Sequence, residues 1–102
     1  MMILHTVNKS PYERINLDSC LRVARIGCGI LLLEDGVIAA LATGAAAQAL
    51  SVALSDKSVY VLGPDLDARG LRECDLVIGI KIVDYDGFVD LVAGYDTVQA
   101  WL

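Results

Sequence analysis

Val59-Tyr60-Val61-Leu62-Gly63-Pro64-Asp65 is an unbroken β-branched, aromatic and aliphatic run cut off by a Gly-Pro pair. A half-exposed strand would alternate apolar and polar residues. This run does not, so it reads as a strand buried on both faces of a parallel sheet and ended by a turn. Upstream, Ile30 to Leu33 reads the same way, and Met2 to Val7 supplies a first strand. Downstream, Ile80 to Val83 supplies a shorter fourth, although Val77 to Ile80 also fits pairing within an irregular loop.

Helical patterns fill the intervals. Ser10-Pro11-Tyr12-Glu13 has the form of a capping box, with Pro11 at the first helical position. The helix it opens is predicted to run to about Arg25 and to stop at Gly27. Its Leu17, Cys20, Leu21 and Ala24 recur at three- and four-residue spacing and share a face. Asp35-Gly36 opens a second helical region, interrupted at Gly44. Asp84 caps a later helix carrying Phe88, Leu91, Val92 and Tyr95; Gly94 ends it and leaves a short tail to Trp101-Leu102. Strands alternating with helices imply right-handed crossovers and helices on both faces. The expected fold is therefore α/β, a three-layer α/β/α sandwich with a mainly parallel sheet, in a single domain over 1–102.

Composition narrows the function. The chain is 56% hydrophobic but only 6% aromatic, so its core is built from Val, Ile, Leu and Ala. That surplus in so short a chain suggests burial against another subunit. A net charge of −5, without a cluster of Lys or Arg, argues against direct nucleic-acid binding. Residues 36–54 carry no formal charge and approach membrane-spanning length. The run is alanine-dominated, contains Thr43, Gly44, Gln48 and Ser51, and is flanked by acids, so two short buried helices explain it better and no membrane span is expected. With no signal or targeting segment at the N-terminus, Cys20, Cys28 and Cys74 are expected to be reduced thiols in the cytoplasm.

Ligands of parallel sheets gather outside the carboxyl ends of the strands. His5-Thr6, Glu34-Asp35, Asp65 and Asp84 all fall there. Asp35 and Asp84 read equally as helix caps, Asp65 as a turn residue, and His5 as a strand residue with no nucleophile beside it. Gly27-Cys28-Gly29 precedes a strand, whereas a phosphate loop follows one. One histidine and three scattered thiols lack zinc-site spacing, so neither cofactor nor metal is expected. Cys20, mid-helix on the Leu17-Leu21 face with Arg22 and Arg25 near in sequence, reads from pattern as a small buried hydrophobe.

Several segments, taken in order, resemble one family over nearly the whole chain. They are Leu4-His5-Thr6-Val7-Asn8-Lys9-Ser10-Pro11, then Leu31-Leu32-Leu33-Glu34-Asp35-Gly36-Val37-Ile38-Ala39-Ala40. After these come Val59-Tyr60-Val61-Leu62-Gly63-Pro64-Asp65-Leu66-Asp67-Ala68-Arg69-Gly70-Leu71, Val83-Asp84-Tyr85-Asp86-Gly87-Phe88-Val89-Asp90-Leu91-Val92 and Gln99-Ala100-Trp101-Leu102. The resemblance is to the DsrH/TusB family. It implies a heterohexamer with DsrE/TusD-like and DsrF/TusC-like subunits that relays sulfur as a cysteine persulfide, with the principal carrier cysteine on the DsrE-like partner. A TusA-like protein would be the donor and a DsrC/TusE-like protein the acceptor. TusB-type members serve 2-thiolation of the tRNA wobble uridine and typically lack a cysteine in the first helix; DsrH-type members, linked to oxidation of stored sulfur, typically have one. Cys20 occupies that position, which favours the sulfur-oxidation branch and makes Cys20 a candidate persulfide carrier. A purely structural assembly subunit is the alternative. Tyr95, Trp101 and Leu102 are interface candidates, with core packing the equal alternative for Trp101.

Overall fold

In the computed structural model, which describes residues 2–102 and leaves Met1 outside, the four apolar runs and the C-terminal segment form five parallel strands. These are β1 (Ile3–Val7), β2 (Gly29–Leu32), β3 (Ser58–Leu62), β4 (Lys81–Val83) and β5 (Thr97–Trp101), in the order β4-β3-β2-β1-β5. Four helices, α1 (Asn16–Val23), α2 (Ala47–Ala53), α3 (Gly63–Ala68) and α4 (Tyr85–Gly94), lie between them, with a 3-10 helix over Glu34–Ala40 and a 3-10 turn over Glu73–Asp75. The chain is a three-layer α/β/α sandwich.

The register sets the two faces of the sheet. His5 sits opposite Ile30, and Ile30 opposite Val59; two residues on, Val7 is level with Leu32, Val61 and Trp101. Val7, Ile30, Leu32, Val59 and Val61 cluster with Leu17 and Cys20 of α1, Val37, Leu50 of α2 and Leu66 of α3. Fully burying each Leu, Ile or Val contributes roughly 1.5–3 kcal/mol, which makes this face the main core. Leu4, Leu31 and Leu62 point the other way. There Tyr95, just after α4, and Leu4 both border Gly29, and Val83 borders Gly87 of α4.

The unequal layers follow from handedness. From β1 to β4 each crossover moves one strand in the same direction, so right-handed connections stack α1, α2 and α3 on one face. The return from β4 to β5 spans the whole sheet in the opposite direction and puts α4 alone on the other face.

Three expectations are corrected. The capping box does not form: Ser10 Oγ accepts from the Tyr12 amide, while the Glu13 and Arg14 amides donate to the Ser10 carbonyl. Residues 11–13 make a turn, which the fixed φ of Pro11 suits as well as a first helical residue. The helix α1 therefore starts at Asn16, and it ends at Val23, before Arg25; Gly27, at φ 87, serves the turn into β2. The segment after Glu34 winds as a 3-10 helix from Glu34, with Leu33 and not Asp35 at its entrance. There Gly36 is pressed on β1, and a Cβ at that position would land on the Val7 carbonyl. Finally, the expected tail is β5, paired with β1 from Ile3–Thr97 to Val7–Trp101. Its start is clamped by Asp96, whose carboxylate accepts from the Met2 amide at 2.8 Å while its own amide donates to the Met2 carbonyl.

Residues 36–54 resolve into the 3-10 helix, a turn segment through Gly44 and the seven-residue α2. Among the described residues no helix is long and apolar enough to cross a membrane.

Candidate functional site

At the carboxyl ends of the strands, Glu34, Asp35 and Asp65 are tied into one network through Arg69, while His5 and Asp84 bond elsewhere. Glu34, at φ 51, leaves β2 with its amide donating to the Asp65 carboxylate at 2.6 Å. Asp35 accepts from Arg69 Nη2 at 2.8 Å and Nε at 3.1 Å, both on one oxygen, and Arg69 Nη1 reaches the Asp65 carbonyl. The three side chains lash the 3-10 helix to α3, which begins directly at Gly63 where a turn was expected. Arg69 was invisible as Asp35's partner in the sequence because 34 residues separate them. Asp84 is a helix cap, accepting from the Gly87 amide at 2.7 Å. Among the described residues no group of three His, Cys, Asp or Glu is placed to hold a metal ion.

His5 is buried inside β1. Its Nδ1 accepts from Trp101 Nε1 at 3.2 Å, with the ring centroids 6.3 Å apart. An acceptor at Nδ1 puts the proton of the neutral ring on Nε2, which has no hydrogen-bond partner. Burial moves the imidazole below its ordinary pKa, so the ring is neutral. Its partner is an indole and not a nucleophile, so the arrangement fastens β5 to β1.

Cys20 lies on the inner side of α1 with no exposed surface. Burial, and then the neighbouring Cys28, push its thiol up to about 12, against a smaller opposing pull from Lys57. The thiol therefore stays protonated at neutral pH. Arg22 offers no help, because it pairs with Asp18 across one turn at the surface, 3.0 Å away. Cys28 is also buried, and of the three thiols Cys74 is the exposed one, 3.9 Å from the Asp75 carboxylate.

Tyr95 is half-buried, with its phenol in the space that Gly29 leaves open. Burial, and next the adjacent Tyr60 hydroxyl, push that phenol up to about 12. Trp101 packs partly into the main core, and Leu102 projects with 81% of its surface exposed. An open groove of about 350 Å³ runs between α1 and α2, past Leu21, Ala49, Val52 and Ala53 to Lys57. It opens beside the amino end of β3, away from the strand ends where ligands of such sheets collect.

Comparison with known proteins bears on this arrangement. The family model described as "DsrH like protein" matches residues 9–98. The chain belongs to the DsrH family. Relatives of this DsrH-family chain bearing the name Protein TusB include one from Pectobacterium parmentieri, 40% identical over 99 residues, which are 97% of this chain and all of that protein. Another, from Erwinia tasmaniensis, is 39% identical over the same shares. Among solved structures, the ychN protein from E. coli superposes with a TM-score of 0.83 at 22% identity over 98% of both chains. A protein of unknown function from Methanobacterium thermoautotrophicum gives 0.75 at 13% identity over 96% of this chain and 97% of that one. At these identities the likeness speaks for the fold alone.

Proposed function

We propose that this DsrH/TusB-family chain is an assembly subunit of a cytoplasmic persulfide relay, holding DsrE/TusD-like and DsrF/TusC-like partners and passing no sulfur itself. The observation that carries this reading is the placement of Cys20. A relay thiol must reach a donor persulfide as a thiolate, and Cys20 has no exposed surface and a thiol pushed up to about 12. Sulfur would travel from a TusA-like donor, through the partner's cysteine, to a TusE- or DsrC-like acceptor.

Between the two branches of the family, the relatives favour one. The cysteine in the first helix points to oxidation of stored sulfur, whereas full-length relatives at 38–40% identity bear the name Protein TusB. We therefore propose 2-thiolation of the tRNA wobble uridine as the pathway served. A second reading keeps Cys20 as a carrier, on its first-helix position, and requires α1 to turn the thiol outward in the assembly.

The assembled complex carrying Cys20→Ser separates these readings. Transfer from donor to acceptor is expected to proceed at the wild-type rate. A loss of transfer with the complex still intact overturns the assembly reading. Loss of 2-thiouridine from tRNA in cells lacking the gene is the expected sign of the thiolation branch, and unchanged tRNA would return the chain to sulfur oxidation.

A further inference from the structure

The outer layer formed by α4 is incomplete. None of its ten residues is buried; Phe88 and Leu91, with Tyr95 just beyond, are half-buried. A second apolar stripe, Tyr85, Val89 and Val92, follows helical spacing on the outer side and is 60%, 63% and 40% exposed. Val98 of β5 is level with Leu4 and so belongs to the same side of the sheet, and it too is 40% exposed. Apolar side chains left exposed together on one face are a feature of interaction sites.

Charge restricts the occupant. Residues 82–102 hold four exposed aspartates, Asp84, Asp86, Asp90 and Asp96, against one cation on that side of the sheet, Lys81, which lies over the Tyr60 ring. An isologous contact between two copies would set these acids against one another, on chains that each carry −5. The arginine-bearing N-terminal region is a weaker match, because Glu13 and Asp18 cut the four cations of residues 9–25 to a net of +2 and Arg22 is held by Asp18.

We infer that the α4–β5 side is a docking surface for a different protein chain, one presenting an apolar patch rimmed by Lys and Arg. Identifying that chain as another relay subunit rests on the function proposed above; the surface and its chemistry do not.

The test has two arms. In the first, the purified chain is titrated with an amphipathic Leu/Lys helical peptide and with a Leu/Glu peptide of the same pattern, with backbone amides followed by NMR. Shifts over 85–98 are expected with the Leu/Lys peptide only. Val89→Lys or the double change Asp86→Lys/Asp90→Lys should weaken them roughly tenfold, and Val52→Lys on α2 should leave them unchanged. Equal binding of both peptides, or shifts centred on α1 and α2, overturns the proposal. In the second arm, hydrogen exchange is compared between the free chain and the chain co-expressed with DsrE- and DsrF-like subunits. Protection of 85–98 supports the surface, and protection confined to other segments overturns it. Selective binding of the Leu/Lys peptide on α4 without any complex with those subunits upholds the surface and overturns the relay reading. A dimer of the free chain with 85–98 protected makes the occupant a second copy and overturns the proposal.

Discussion

Cys20, Cys28 and Cys74 differ in environment far more than their sequence neighbours suggest. A thiol attacks as thiolate, so reactivity follows exposure and pKa together. Cys74 is therefore expected to react with a maleimide within minutes at neutral pH, while Cys20 and Cys28 become reactive on unfolding; mass spectrometry of native and denatured samples reads the order directly. Labelling of native Cys20 as fast as Cys74 would contradict its burial. His5 supplies a second expectation. Its folded pKa is depressed by burial, so below the ordinary imidazole value the unfolded chain binds a proton that the folded chain refuses. This contribution to stability is whole above about pH 6.5, declines as pH falls toward the folded value, and levels off below it. Urea unfolding between pH 7.5 and 5 should show that decline, and His5→Gln should flatten it. At this scale the helical face of Cys20 was legible from Leu17, Leu21 and Ala24, because spacing encodes direction. The partners of His5 and Asp35 were not, since Trp101 and Arg69 arrive from 96 and 34 residues away.

Elements were legible where burial is strong on both faces. The strands β2 and β3 appear as unbroken apolar runs because both faces are covered. The strand β5 escaped notice for the converse reason. Four of its five residues are exposed, so Thr97 to Ala100 have the composition of a surface tail, and pairing with β1 plus the Asp96 clamp makes it a strand. Helix starts divided in the same way. Asp84 caps α4 as its sequence implies, whereas Ser10 spends its side chain and carbonyl on a turn. Replacing a capping aspartate by alanine typically costs about 1 kcal/mol. Asp84→Ala is accordingly expected to lower the melting temperature by about 4–8 °C, measured by circular dichroism, with little change in the amide protection of β1 to β3. An unchanged melting temperature would mean that the first turn of α4 draws its stability from elsewhere.

The whole molecule is asymmetric about its sheet. Three successive crossovers in one direction load one face with helices, and a single return across the sheet leaves the other face to α4. This topology seals Cys20 beneath α1 while leaving the outer stripe of α4 and the edge strand β5 bare. That shape fits the proposed role of an assembly subunit better than that of a thiol meeting a protein persulfide donor directly. The most direct measurement is intact-protein mass spectrometry of the assembled complex after it is offered a persulfidated donor, with wild-type chain and with Cys20→Ser. The account predicts a sulfur adduct on the DsrE-like partner and none on this chain in either case. An adduct that appears on this chain and vanishes with Cys20→Ser would contradict it.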